Sequence, residues 1–421
     1  MESKSTLQND APLTAADGTP LHKALARATR RAKWRAFLLV FPLLAFIIIT
    51  FAIPIAQMLY RSVNNTAFSD NMPNLVEYFA KNEVTGVPDE DGYTALVADL
   101  VQAREAKTIG VVATRINYEL PGARSQFTSG ARKAARLEAP FKESLIDIDE
   151  DWNDPHLWNV MQRAANPVSA SFYLAAVDMK YDETGNVVRA PENKRIYVPL
   201  FLRTLWLSGL ISVLCLILAF PVARLLATLP LRYSNLLMIF VLLPFWTSLL
   251  VRTTAWIALL QSQGVLNDIL VGTNVLADEN RVQLMYNQAG TIIAMTHILL
   301  PFMILPLYSV MKSIPPTYVR AARSLGASSW TAFWKVYFPQ TIPGIGAGVL
   351  LVFILSIGFY ITPALVGGSS GQLISNEIAR HMLQSLNWSL AAALGGILLF
   401  IIIVFYWLFD KVVGVDNMKL G

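Results

Sequence analysis

Side chains that could make or break bonds are few in this sequence. Its 421 residues contain a single cysteine, Cys215, and four histidines that are scattered along the chain. These do not have the spacing of a zinc site, and one cysteine excludes a disulfide framework. No G-x-x-x-x-G-K-[S/T] segment is present, so we do not expect the chain to bind ATP through a P-loop of its own. The sequence therefore predicts no catalytic residues, no metal site and no cofactor bound by this chain.

Binding of a solute within a membrane needs no catalytic residues. A few polar and aromatic side chains in strongly apolar stretches could bind one. Arg252 is one, because an ionisable side chain within an apolar span is a functional hypothesis by default, although it could instead snorkel to the interface. Aromatic faces attract ammonium ions, but aromatic side chains in membrane helices more often only pack. The residues predicted to line a translocation pathway are Trp246, Arg252, Phe359, Tyr360, Thr362 and Pro363.

Membrane helices are the elements that must position these groups. The chain is 54% hydrophobic and only 15% charged, whereas soluble domains are about a quarter charged. Crossing a bilayer core of about 30 Å takes about 20 apolar residues in a helix. Six segments meet that length, and they predict an all-α polytopic membrane protein with spans at 36–60, 202–226, 236–260, 290–310, 344–366 and 390–409.

The basic residues predict the orientation of these spans. Residues 1–35 contain seven Lys and Arg, and the loops after the second and fourth spans carry bases without acids. Segment 61–196, in contrast, has 20 acids against 15 bases. Both termini are therefore predicted to be cytoplasmic, and the net charge of +5 reflects topology rather than nucleic-acid binding. The predicted organisation is a cytoplasmic segment 1–35, a first span 36–60 that is an uncleaved anchor, an external insert 61–196, a membrane core 197–415 and a tail 416–421.

The external insert is long enough for a small folded domain. Helical periodicity is visible at 93–107 and again near 127–137. β-forming residues on both sides of the turn at 182–186 predict a hairpin, so we expect a mixed α/β insert. It could dock a soluble partner, cap a pathway, or only pack against the spans; the sequence leaves these open.

Segment 315–343, between the fourth and fifth spans, has the most specific pattern. Prolines mark both ends, Thr317 is a possible cap of a first short helix, and Gly326 is expected to end it. Ser328 or Ser329 is expected to cap a second short helix with aromatic residues along one side. Two short helices joined at Gly326 would form a rigid elbow, whose small residues would allow another protein to approach closely.

This elbow resembles the E-A-A-x3-G-x9-I-x-L-P loop of the permease subunits of ABC importers. Ala321, Ala322, Gly326 and Pro339 match, Val336 and Phe338 stand at the Ile and Leu positions, and Arg320 replaces the Glu. Segments 243–253, 300–308 and 361–368 are similar to those of spermidine/putrescine-type permeases. Two features depart from that type: the insert is much longer, and Gly358-Phe359-Tyr360 stands where relatives often have Gly-Asp-Phe.

The resemblance implies a bacterial inner-membrane permease whose elbow is a coupling helix for a cytoplasmic ATPase. The coupling residues would be Arg320, Ala321, Ala322, Arg323, Gly326 and Pro339. It also implies a second permease subunit, two ATPase copies that hold ATP and Mg²⁺, a periplasmic solute-binding protein, and surrounding lipid. Gly344, Gly346 and Gly348 form a small-residue face, which we expect to pack against the partner permease.

The implied solute is a polyamine. The alternatives are another small organic solute, such as an opine or an amino-acid derivative, or an ion-coupled secondary carrier. The carrier would require acidic residues within the spans and symmetry between the two halves of the chain, and the sequence shows neither.

Overall fold

A computed structural model describes residues 21–82, 86–182 and 185–413, and the chain divides after Tyr60 into two compact units. The described residues are mostly helical, with one two-stranded sheet. The expected all-α architecture is therefore confirmed. The predicted tail 416–421, most of the cytoplasmic segment 1–35 and residues 183–184 of the predicted hairpin turn lie outside the described residues.

The first unit is formed by one long apolar helix. It consists of α1 (Leu21–Ile47), a π-helical turn (Ile48–Ala52) and α2 (Ile53–Val63), which continues into the second unit. The π turn immediately precedes Pro54, whose missing N–H interrupts the regular hydrogen-bond ladder. Residues 29–63 are apolar and long enough to cross a membrane, and the predicted first span lies within them.

The insert, 61–196, is almost wholly helical. Its helices are α3 (Pro73–Lys81), α4 (Glu90–Glu105), α5 (Ile109–Asn117), α6 (Ala123–Ala134), α7 (Phe141–Ile146), α8 (Pro155–Ala165) and α9 (Ser171–Ala176). The two predicted helices correspond to α4 and α6. The predicted hairpin is present but small, since β1 (Met179–Tyr181) and β2 (Val187–Arg189) pair antiparallel over three residues each. The rest of the expected β-forming stretches 171–181 and 187–198 is not strand, and its beginning is helix α9. The expected mixed α/β insert is thus a helical domain with one short hairpin.

This helical domain has its own hydrophobic core. Tyr93, Phe127, Trp152 and Trp158 are fully buried in it, and burying one such side chain contributes about 1.5–3 kcal/mol. Tyr93 and Trp158 meet edge to face at 5.0 Å between ring centroids. The Tyr93 hydroxyl and the Trp158 indole both donate to the Trp152 carbonyl, each at 2.9 Å. Most of the insert therefore packs around a core of its own, while Phe172 and Ala176 of α9 join a core formed with the membrane helices.

Asp178 connects the insert to the second membrane helix. Its carboxylate accepts hydrogen bonds from the backbone N–H groups of Ile196, Tyr197 and Val198 at 3.0, 3.0 and 2.8 Å. These donors belong to the first turn of α10 (Tyr197–Thr228), where N–H groups have no partners within the helix. A negative charge there also complements the positive end of the helix dipole. The end of the hairpin thus fixes the start of a membrane span.

The membrane core contains the remaining helices. After α10 these are α11 (Leu231–Leu242), α12 (Leu249–Leu260), α13 (Val265–Gly272), α14 (Gln288–Ser313), α15 (Pro316–Ser324), α16 (Ser329–Ala332), α17 (Phe338–Gly358), α18 (Ile361–Val366), α19 (Gly368–Gly371), α20 (Ile374–Leu383) and α21 (Trp388–Val413). Five described helices are long and apolar enough to span a membrane, or six if one bent pair counts as a single span.

Helices α10, α14 and α17 pack around one another, with Leu207, Cys215, Met295 and Val352 fully buried between them. The glycine face of α17 makes this contact close. A Cβ on Gly348 would lie 2.6 Å from the Met303 sulfur. One on Gly344 would lie 2.9 Å from the Val310 Cβ. Gly344 and Gly348 therefore pack against α14 of the same chain, and the expectation that these two residues contact a partner permease was wrong.

Two of the predicted spans have different boundaries in the structure. The third is broken: residues 231–246 and 249–272 meet at an angle of 98°. The break follows Pro244, and the Ser248 hydroxyl begins a new helix by accepting from the Val251 N–H at 3.2 Å. The fifth begins earlier and ends at Gly358 instead of 366. Residues 361–366 form a separate helix, because Pro363 cannot donate a hydrogen bond to a helix continuing from Gly358.

Candidate functional site

The elbow begins with α15. The way this helix ends explains why the residue at position 326 is a glycine. Gly326 has φ +86°, a left-handed conformation that glycine adopts without strain. Its N–H bonds the Arg323 carbonyl at 3.0 Å, and the Ala327 N–H bonds the Ala322 carbonyl at 3.1 Å. These two bonds form a Schellman motif. Gly326 therefore ends the helix as predicted.

Two other expectations about the elbow were wrong. Thr317 does not cap α15; the residue before the helix is Pro315 and Pro316 occupies the first turn, where a missing N–H costs nothing. The second helix is not short. Ser328 caps it, through a 3.2 Å bond from the Thr331 N–H, but it continues through a π-helical turn, Phe333–Tyr337, into α17. The π turn lies directly before Pro339 and carries the helix past this proline.

The elbow therefore joins α14 to one continuous helix over residues 329–358. The two faces of α15 differ. Tyr318, Ala321 and Leu325 lie together on one face, which we name the docking face, and all three are exposed, Leu325 to 89%. Arg320 and Arg323 are also exposed. Because successive residues of an α-helix are rotated by about 100° around its axis, these two arginines lie on the other side of the helix from the docking face. Ala322 is half-buried and Pro339 is exposed.

The predicted pathway residues are only partly brought together. Thr362 and Thr253 are fully buried, and their hydroxyls lie 3.3 Å apart where α12 meets α18. Arg252, the neighbour of Thr253, has a buried Nε without a hydrogen-bond partner among the described residues. Pro363 is buried in α18. Trp246, in contrast, is 72% exposed at the bend before α12 and does not join this group.

Phe359 and Tyr360 lie in the break between α17 and α18. Their carbonyls accept hydrogen bonds from the Ser375 hydroxyl at 2.6 Å and the Asn376 amide at 2.8 Å. The backbone groups released by the break are therefore satisfied by α20, as is required of irregular backbone at membrane depth. Ser375 and Asn376 were not predicted, because no local pattern indicates which residues will approach a helix break.

His297 is a further polar residue of this region that was not predicted from the sequence. Its Nδ1 accepts a hydrogen bond from the Trp256 indole at 3.1 Å, which joins α14 to α12 one turn beyond Arg252. The signal that could have found it is the presence of a polar side chain inside an apolar span.

A second polar cluster lies between α20 and the start of α10. His381 is 7% exposed; its Nε2 lies 2.8 Å from the Tyr197 hydroxyl and its Nδ1 lies 2.9 Å from the Ser385 hydroxyl. Burial lowers the pKa of His381, and Arg380 lowers it further, while Glu377 opposes the shift.

This shift predicts a pH dependence of stability. Because the pKa of His381 is lower in the folded than in the unfolded chain, the unfolded chain binds more protons as the pH falls through the ordinary histidine range near 6.5. The melting temperature of the purified protein should therefore drop between pH 7.5 and 5.5, and His381→Gln should reduce that drop. An identical pH profile in wild type and variant would contradict the assignment.

The fold and elbow described above define a multi-pass membrane protein with a glycine-jointed elbow between two of its membrane helices. Residues 206–413 match the family described as the binding-protein-dependent transport system inner membrane component. The chain is 35% identical over 202 residues to the spermidine/putrescine transport system permease protein PotB of Haemophilus influenzae, covering 47% of this chain and 70% of that protein. It is 33% identical over 241 residues to the inner membrane ABC transporter permease protein YdcU of Escherichia coli, covering 54% and 75%.

The chain belongs to this family of ABC importer permeases. The insert, 61–196, lies outside the matched range. Among solved structures, a chain of a bacterial ABC transporter involved in alginate import shares 20% identity with a TM-score of 0.46, covering 53% of this chain and 80% of that one. That likeness is too low to bear on the fold or the partners.

Proposed function

We propose that this chain forms one half of the pore of an ATP-driven importer. It would pair with a second permease, two copies of a cytoplasmic ATPase that hold ATP and Mg²⁺, and a periplasmic solute-binding protein. Both termini would be cytoplasmic and the bent pair of helices would count as one of six spans. The single observation that carries this proposal is the elbow: a Schellman turn at Gly326 between α15 and a continuous helix, within the matched family range.

Coupling would proceed through the docking face of α15. Ala321 has the smallest side chain on that face and Leu325 projects farthest into solvent, so an ATPase groove could approach the backbone closely. Displacement of α15 would pass to the two helices joined to it, α14 and the helix over 329–358. Because Gly344 and Gly348 hold these two helices in close contact, they would move together, and the change would reach the break at Phe359.

A polyamine is the solute that the relatives support, since PotB is a spermidine/putrescine permease. The described spanning helices carry only two acids, Asp268 and Asp410, and both lie near helix ends. A polyammonium solute would therefore meet aromatic faces and backbone carbonyls in this half of the pore. Tyr360, which is 41% exposed beside the helix break, is the best-placed aromatic residue. The insert would provide a docking surface for the binding protein.

One observation favours the other solute class. The Arg252 guanidinium has a buried Nε that finds no hydrogen-bond partner within 21–82, 86–182 and 185–413. A buried donor of this kind would be satisfied by the carboxylate of an opine or an amino-acid derivative.

Arg252→Gln distinguishes the two solute classes. In cells that express the complete transporter, uptake of labelled spermidine should stay within about twofold of wild type or rise, because a positive charge only repels a polyamine. If the solute carries a carboxylate, its uptake should fall by roughly 30-fold or more, since losing a charged partner costs about 2 kcal/mol or more. Arg232→Gln, at an exposed position in the first turn of α11, is the matched control. Failure of wild-type cells to accumulate spermidine would reject the polyamine assignment.

A further inference from the structure

A cavity of about 680 Å³ lies beneath the elbow, between α15 and the ends of the membrane helices α10 and α14. Four cationic side chains line it, and none of its described lining residues is acidic. The cations are contributed by three different elements: Arg224 by the end of α10, Lys312 by the end of α14, and Arg320 and Arg323 by α15. Like charges gathered around one cavity repel each other, so this arrangement is suited to an anion.

The geometry of the wall holds one of these cations in place. The Arg224 guanidinium lies 4.5 Å from the ring centre of Phe333 and 5.5 Å from that of Tyr337. These cation–π contacts fix the side chain and leave its N–H groups available at the cavity. The Tyr337 hydroxyl is buried and has no hydrogen-bond partner in the described part of the chain, so the same wall contains an unused polar group.

The cationic face of α15 is not its docking face. Val319, Arg320 and Arg323 line the cavity, whereas Tyr318, Ala321 and Leu325 do not. The arginine that replaces the family's glutamate therefore faces the ends of the membrane helices. Because α10 and α14 are long enough to span a bilayer, their ends lie at the depth of the lipid headgroups. Basic pockets between membrane helices at this depth suit anionic headgroups.

We propose that this cavity binds the phosphate of an anionic phospholipid headgroup. The single negative charge of the phosphate would offset part of the repulsion among the four cations and hold α15 against the ends of α10 and α14. This proposal depends neither on the polyamine as solute nor on the contact with the ATPase. If the lipid site proved wrong, the proposed function would be unaffected.

Native mass spectrometry of the purified full-length protein tests the proposal, using mixed phosphatidylglycerol and phosphatidylcholine. We expect the wild type to retain phosphatidylglycerol preferentially. Arg224→Gln combined with Lys312→Gln should weaken this retention about 25-fold, since each cation contributes roughly fivefold near an anionic surface. The matched control, Arg232→Gln combined with Lys335→Gln, removes two cytoplasmic-side cations that do not line the cavity and should retain the lipid. If the first double variant does not fold, Lys312→Gln alone should give about a fivefold loss.

Three results would overturn the proposal. Equal retention by the two double variants would show that the cavity is not the lipid site. Displacement of phosphatidylglycerol by inorganic phosphate would assign the cavity to a free anion. Loss of the lipid on assembly of the complete transporter would indicate that an acidic side chain of the ATPase occupies the cavity.

Discussion

Gly326→Val is expected to abolish ATP-dependent uptake while the protein still inserts in the membrane. At φ +86° a β-branched residue is strained, and the left-handed conformation costs about 1–2 kcal/mol even for an ordinary residue. Crowding is not the cause, because a Cβ on Gly326 would meet nothing within 4 Å. Relief of the strain would break the Schellman bonds and change the angle between α15 and the helix over 329–358. Uptake in cells, normalised to the amount of inserted protein, measures the effect.

Two variants make this test specific. Gly326→Asn should keep most of the activity, since asparagine tolerates the left-handed conformation. Gly209→Val adds the same side chain in α10, where a Cβ also meets nothing within 4 Å, and should leave uptake near wild type. Normal uptake by Gly326→Val would refute a coupling role for the elbow.

Of the variants proposed here to change stability, Asp178→Ala is expected to cause the largest decrease in the free energy of unfolding. The carboxylate is 6% exposed and accepts from three backbone N–H groups at the start of α10. Removing it leaves those donors unsatisfied and removes a charge that complements the helix dipole. Because hydrogen bonds to a charged group contribute about 1.5–3 kcal/mol each and the terms are not additive, we expect a loss of about 3 kcal/mol in the free energy of unfolding. Chemical denaturation of the purified protein in detergent measures it.

Asp178→Asn should lose less than the alanine variant, because the amide retains one acceptor oxygen. Asp147→Ala, at an exposed carboxylate of the insert, should change stability by less than about 0.5 kcal/mol. If Asp178→Ala were as stable as wild type, the hairpin would not be what fixes the start of α10.

The positions of the membrane helices were predictable because the signal is local. A run of about 20 apolar residues has one favourable environment, and five of the six predicted segments overlap long described helices. Two of the seven helices of the insert, α4 and α6, were predictable for a similar reason, since the apolar periodicity around Leu96 and Leu100 has to be buried against something. This periodicity could not identify the packing partners, because Trp152 and Trp158 lie about 50 residues farther along the chain.

The elbow shows where local reasoning ends. Gly326 was identified correctly, because a left-handed residue after a short helix almost requires glycine. The extent of the following helix was not, since Pro339 suggested an end that a π-helical turn bypasses. Likewise, the apolar run through 236–260 gives no indication of the 98° bend after Trp246. Both outcomes depend on how the chain around a proline is hydrogen-bonded.

The sequence by itself determined the class of protein, the approximate helices and the glycine joint, because apolar length, charge asymmetry and backbone conformation are properties of short segments. Only the tertiary structure decided that Asp178 caps the start of a membrane helix, that Gly344 and Gly348 of α17 face α14, and that four cations surround one cavity. Each of these contacts is between residues that are far apart in the chain. Which of them come together depends on how the helices pack, and a short segment does not determine that.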